Sequence, residues 1–399
     1  MKSTLAWLVL AAPAAAQIGG TGALGAFAPT QDVTLDTSSG GTFDYTSIAI
    51  AAGVTVRLIG PNPAILRSQG NVDIQGTIDA DGTIVEPGAG GWPGGFGGYP
   101  SGTPGMGPGG GTGGVQILFQ GGGAGGNASH ATEGMYPGGA PLYGDSFPFD
   151  LTGGSGGGGP AWSYLFANGS STSGGGAVAI LADGDVSVDG VVSARGGDQS
   201  AGLRTTIYGG LGSGGAILVR AIGNVRVTGT VTATGGRFVG MWLPAGLARA
   251  AGGDGFVRID AYRSPPDVSA GAIDGDALIA ALPLLRDLAP PAIGQLWQPR
   301  CATVPGDPLA WFVATATLPS PVVLPFGELF LDYRPGGGFV FAGTLDTPTS
   351  GIDPLAGVDF PVPDAPVLQG LTFYSQMFDG LAPRAGFARL SNLLTSAVQ

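Results

Sequence analysis

The chain has 399 residues, of which 78 are glycine and only 11% are charged. Its length accommodates two domains, and 43% hydrophobic residues suffice to build their cores. Glycine at this level without a Gly-X-Y period excludes collagen and speaks against a helical protein. The formal net charge of −12 leaves little to neutralise phosphates, so nucleic acid and anionic membranes are poor partners and cations or neutral polymers better ones.

Residues 1–16 carry Lys2, an apolar run from Leu5 to Ala12 and small residues before Gln17. This is the pattern of a secretory signal, so the expected product starts at Gln17 and is extracellular or at the cell surface. No later run is long and apolar enough for a membrane-spanning helix. The stretch 27–60 alternates like strands and reads as an opening cap.

One pattern is then written repeatedly. PAILRSQGNVDIQGTIDADG (63–82), GGGAVAILADGDVSVDGVVSARGG (174–197) and SGGAILVRAIGNVRVTGTVTATGG (213–236) share one template, and GDGFVRIDAY (253–262) is a truncated copy. Val72, Ile74, Ile78 and Ala80 fall in register with Val186, Val188, Val192 and Ala194, then with Val225, Val227, Val231 and Ala233. Their alternation with polar residues is that of a strand with one buried face. Asp183-Gly184, Gly190 and Gly196-Gly197 supply corners. A unit of three short strands that cannot bury its inner face alone stacks on its copies, so the expectation is an all-β, parallel β-helix-like repeat domain over residues 17–262. Antiparallel sheets are the competing arrangement.

Within that domain, residues 88–159 are glycine-dense. Trp92, Phe96, Tyr99, Tyr143, Phe147 and Phe149 within the tract, with Trp162 and Tyr164 just beyond it, suggest that it folds back over the strands with rings as anchors. Five of them, Trp92, Tyr99, Tyr143, Trp162 and Tyr164, are the candidate ligand-binding platforms, because amphipathic rings suit sugar faces. Residues 263–291 read as a linker, with any helix begun at Asp276 interrupted by Pro283. In 292–399, LAWFVATATL, GELFLDY, GGFVFAGTL and GLTFYSQMF are strand-like runs between turns, expected as a C-terminal β-sandwich.

The repeats at 174–197 and 213–236 resemble those of secreted glycine-rich proteins of environmental bacteria, of the right-handed parallel β-helix, pectin-lyase-like type. The tail, with PAIGQ (291–295), LQGLTFYSQMF (368–378) and LSN (390–392), is similar to a C-terminal β module that recurs in them. The resemblance implies fold and export and carries no activity.

Chemistry is sparsely written. His130 is the sole histidine and Cys301 the sole cysteine, which leaves almost no room for Cys–His dyads or histidine-rich metal sites. His130 is expected at the surface and Cys301 in a core. If catalysis occurs, its candidates are Asp73, Asp79, Asp81 and Asp189, with Arg226, as outward groups on neighbouring units. Asp183 and Asp185 lie beside them. The Asp-Gly corners Asp81-Gly82, Asp183-Gly184 and Asp254-Gly255 offer oxygens to Ca²⁺, although turn chemistry accounts for them too. Asn127 and Asn168 stand in glycosylation acceptor triplets. The reading is a secreted, non-enzymatic surface or matrix protein that contacts polysaccharide or matrix protein. The alternative is a polysaccharide lyase or hydrolase.

Overall fold

Short alternating runs punctuated by glycine form short strands. The computed structural model describes residues 18–115, 128–134, 141–147, 149–161, 171–200, 209–239, 250–289, 291–303, 309–324, 327–333, 338, 340–345, 355–379 and 389–399. The described residues are all-β, with one 3-10 turn at Pro366–Leu368. Among them no helix is long and apolar enough to cross a membrane. The chain divides between Ala281 and Leu282 into two compact units.

In the unit of residues 18–281 the strands come in triplets. The first is β1 (Ala26–Phe27), β2 (Val33–Asp36) and β3 (Thr42–Tyr45), and the second β4 (Ser47–Ile50), β5 (Thr55–Ile59) and β6 (Ala64–Ser68). The third, β7 (Val72–Ile74) and β8 (Thr77–Asp79), is completed across the glycine tract by β9 (Ala177–Ala182). Then follow β10 (Val186–Val188), β11 (Val191–Ser193), the outlying β12 (Gln199–Ser200) and β13 (Ala216–Ala221). The fifth group is β14 (Val225–Val227), β15 (Thr230–Thr232), the outlying β16 (Phe238–Val239) and β17 (Phe256–Ala261), and the series ends with β18 (Ala272–Asp274) and β19 (Asp276–Ala281).

Each triplet contributes one strand to each of three sheets, ordered β1-β4-β7-β10-β14, β2-β5-β8-β11-β15-β18 and β3-β6-β9-β13-β17-β19. Every pairing in these sheets is parallel. The register is the one the repeat alignment implies: Val72, Val186 and Val225 are lateral neighbours, as are Ile78, Val192, Val231 and Ile273. Inward residues of all three sheets share one core, among them Ile74, Val188, Val192, Ile217 and Val257. A parallel sheet demands this, since any slip of one residue would turn the whole apolar rank outward.

Two sequence expectations change here. Residues 263–291 carry strands where a linker was expected: β18 pairs with β15 and β19 with β17 as the next turn of the stack, and β20 (Leu284–Ala289) belongs to the second unit. Asp267 already bridges Arg226 in parallel, so the template continues where Pro265 and Pro266 mask it. The copy that ends at Tyr262 is therefore not truncated.

The second change concerns the glycine tract, whose described parts are bonded backbone to backbone at every third residue. The N–H groups of Trp92, Gly95 and Gly98 donate to the carbonyls of Gly154, Gly157 and Pro160 at 3.0, 2.8 and 3.1 Å. Gly111 and Gly114 donate to Gly156 and Gly159, whose own N–H groups donate to Met106 and Thr103. Gly154 and Gly157 donate to Gly175 and Thr172, and Gly210 and Ser213 donate to Gly158 and Ser155. A lateral period of three is that of the polyproline II conformation, which makes no internal hydrogen bonds and leaves its peptide groups for neighbours. Segment 153–160, buried throughout, has such neighbours on several sides. A Cβ on Gly154, Gly156, Gly157, Gly158 or Gly159 would collide with the backbone of an adjoining segment. Composition alone suggests a flexible tract, whereas close packing of bare backbone is what excludes a side chain at these five positions.

The second unit pairs only antiparallel among its described strands. After β20 come β21 (Leu296–Ala302), β22 (Leu309–Ala314), β23 (Thr317–Leu324), β24 (Gly327–Leu331), β25 (Val340–Leu345), β26 (Leu355–Gly357), β27 (Phe360–Pro361), β28 (Thr372–Asp379), β29 (Arg389–Leu390) and β30 (Leu394–Ala397). One sheet has the order β20-β21-β26, with β27 also on β21. Another has β25-β22-β28-β29, with β30 also on β28, and β23-β24 form a separate pair. Trp297, Cys301, Trp311 and Met377 lie in its core, and the Trp297 ring stacks on Phe373 at 5.6 Å.

Candidate functional site

The candidate acids fall in two places. On the outer face of the first sheet, Asp73, Ser187 and Arg226 are lateral neighbours on β7, β10 and β14. Just beyond β10, Asp189 accepts hydrogen bonds from the hydroxyls of Thr228 and Ser187, and Arg226 Nη1 lies 3.3 Å away. The Thr228 bond foremost, with those of Ser187 and the charge of Arg226, holds the Asp189 carboxyl below the usual carboxylate range. Asp73 accepts from Gln75 Nε2 at 3.0 Å. The structure thus brings Asp189 and Arg226 together as an exposed, turn-to-turn contact.

Asp79 ends β8, in the second sheet, and Asp81 lies just beyond it. Arg57 Nη1 binds Asp79 at 2.6 Å, and Asp79 also accepts the N–H of Asp81 at 2.9 Å. Asp81 accepts from the Ser193 hydroxyl and, at 2.6 Å, from the backbone N–H of Arg195 one triplet further on. Burial pushes the Asp81 carboxyl up, with the negative charge of Asp79 adding to it, against the lowering bonds from Ser193 and Arg195.

The corner residues form a ladder of their own. Asn71 Oδ1 accepts the N–H of Asp185 at 3.0 Å, and Asp185 Oδ1 accepts the N–H and Nδ2 of Asn224 at 2.7 and 3.0 Å. Asn224 Oδ1 in turn accepts Ser264 Oγ at 2.8 Å. Asp183 takes the N–H of Gly19 and Asp254 that of Gly235. These carboxylates satisfy backbone donors that stacked corners expose. Among the described residues no group of three His, Cys, Asp or Glu side chains is placed to hold a metal ion.

His130 is fully buried, contrary to the expected surface position. Its ring stacks on Tyr143 at 4.3 Å and meets Phe256 edge-on, and Nδ1 lies 2.7 Å from the Gly214 carbonyl oxygen, to which it donates. Burial lowers it to about 4. Tyr143 is an interior strut: its hydroxyl donates to Gly153 O at 2.7 Å and accepts from Ser155 Oγ at 2.9 Å, and burial raises it to about 12.

Sequence reasoning missed Arg220, Arg258 and Asp260, which occupy outward positions of β13 and β17 that alternation assigns to water. All three are buried. Asp260 Oδ2 receives Arg220 Nη2 at 2.6 Å and Arg258 Nε at 2.9 Å, while Arg258 stacks over the Phe147 ring at 5.5 Å. The buried Phe147 and Phe149, far upstream in the glycine tract, are the one signal of a cover.

The remaining aromatic candidates divide. Trp162 and Tyr164 lie outside the described residues, as do Asn127 and Asn168. Trp92, Phe96 and Tyr99 are 40%, 73% and 55% exposed. Their segment is held by the backbone hydrogen bonds of Trp92, Gly95 and Gly98, which leaves ring surface open to solvent. Trp92 forms one side of a groove of about 480 Å³, with Ile59, Pro61, Glu86, Pro87 and Met106 around it. A Cβ at Gly107 would come within 2.9 Å of the indole Cγ and Cδ1, so the bare Gly107 backbone supports the ring.

Comparison with known proteins yields no matching family model, no matching curated protein and no matching solved structure.

Proposed function

We propose that this chain is a secreted, non-enzymatic surface or matrix protein that contacts glycan, built as a parallel β-helix followed by a C-terminal β-sandwich. The rotation of strands through three parallel sheets around one core supports the β-helix, and two antiparallel sheets over a separate core support the sandwich. The observation that carries the function is the use made of the polar residues: Asp79, Asp81, Asp185 and Asp189 each bond the backbone or side chains of their own or a neighbouring triplet. Carboxylates so engaged hold the stack together. The exposed Trp92, Phe96 and Tyr99, on rigid backbone, offer ring faces to a sugar polymer.

A lyase or hydrolase has one observation in its favour, the raised carboxyl of Asp81 beside Asp79. The test is incubation of the purified protein with immobilised acidic and neutral polysaccharides, scoring retention and released sugar separately. Retention without release is expected. Release abolished by Asp81→Asn would replace this reading with the enzymatic one.

A further inference from the structure

The groove beside Trp92 has features beyond a generic sugar platform. Its volume of about 480 Å³ is in the range of small-ligand sites. Its wall is apolar at Ile59, Trp92 and Met106, and Gly60, Gly90 and Gly91 complete it without side chains, the Gly90 N–H donating to the Gly60 carbonyl at 2.9 Å. Glu86 is the one ionisable residue that lines it. Glu86 is placed by its backbone: its N–H donates to Thr83 Oγ1 at 2.8 Å, and its carbonyl accepts the Thr83 N–H at 2.7 Å. Among the described residues its carboxylate has no ion-pair partner, and the whole chain carries a net charge of −12.

Trp92 is held with equal firmness. Its N–H donates to Gly154 at 3.0 Å and its carbonyl accepts from Gly174 at 2.9 Å, so the indole stands on the bonded glycine segments. An indole face attracts both the C–H face of a sugar and a cation, and a carboxylate at the same groove adds charge complementarity. A carboxylate accepts hydrogen bonds from the hydroxyls of any sugar, but only a cationic sugar gains an ion pair from it, and an anionic one is repelled.

We propose that this groove binds a cationic amino-sugar polymer, with Trp92 stacking on a sugar ring and Glu86 pairing with its protonated amino group. The proposal rests on the glycan-contact reading above and names the class of glycan. The carboxylate of Glu86 favours such a polymer over a proline-rich peptide, the other occupant an indole and prolines attract, because a proline ring brings no cation to pair with it.

The experiment is binding of the purified protein to chitosan and, in parallel, to chitin and cellulose, at about pH 5.5, where a glucosamine amine is protonated. The expected result is preference for chitosan, weakened by added salt, reduced about tenfold by Glu86→Gln, and abolished by Trp92→Ala. Glu86→Gln alters an exposed side chain, so its effect reads binding rather than folding, and an unchanged melting temperature verifies this for both variants. Equal binding to all three polymers, indifferent to Glu86→Gln, overturns the cationic class while leaving glycan contact standing. Binding to none overturns both. Displacement of chitosan by a polyproline peptide but not by glucosamine oligomers assigns the groove to a peptide instead.

Discussion

Asp260 holds two guanidinium groups in a place without water, and its contribution differs sharply from that of Asp189, which meets Arg226 in solvent. Removing one partner of a buried ionic cluster leaves charge uncompensated, so Asp260→Ala should cost about 3–5 kcal/mol in urea unfolding. Asp189→Ala should leave the urea midpoint nearly where it is, because solvent screens its contact with Arg226. His130 sets an acid limit. Its folded value of about 4 lies below the 6.5 of an exposed imidazole, so the unfolded chain takes up the proton first. The stability that depends on a neutral ring is complete above about pH 6.5, declines as pH falls and levels off below about 4, for a loss of about 3 kcal/mol. The difference in unfolding free energy between the protein and His130→Gln, followed from pH 7 to pH 4, measures that share. A difference independent of pH would mean that the ring takes up its proton in the fold as readily as in the unfolded chain.

At the scale of the elements, the glycine segments and the strands obey different packing rules. A strand needs glycine only at its corners, as at Gly53, where φ is +82° and a side chain would meet open space. Gly53→Ala should cost about 1 kcal/mol through its backbone alone. A methyl on Gly157 would strike the Gly210 carbonyl and force two bonded segments apart. Gly157→Ala should cost about 3 kcal/mol or more, read as a lowered melting temperature. Similar losses at the two positions would show that the segments are not closely packed. Nothing in a string such as GGSGGGG separates this arrangement from a flexible tether, because what distinguishes them is the set of distant partners, the carbonyls of Met106 and Thr172 and the N–H groups of Trp92 and Gly210.

For the whole molecule, the two units have separate cores and opposite strand directions. Calorimetry should therefore show two transitions rather than one. Trp297 and Trp311 are buried in the C-terminal unit, and Trp92 is the sole described tryptophan of the other. Asp260→Ala should move one transition and leave the other in place, whereas a single merged transition that moves as a whole would show the units to be energetically coupled.

The repeat register was legible before any coordinates. Val72, Val186 and Val225 align in the sequence and lie side by side in the sheet, because in-register apolar ranks are the arrangement that buries every inward side chain. Glycine at Gly76, Gly190 and Gly229 marked the corners for the same local reason. Strand direction was not legible, since alternation has the same period in parallel and antiparallel sheets. Nor were the strands of 263–291, where two prolines and a run of alanine and leucine obscure the template. The burial of Arg220, Arg258, Asp260 and His130 was decided by tertiary structure alone. Alternation tells which side of a strand a residue occupies, and only the segments that come to lie over that side determine whether water reaches it.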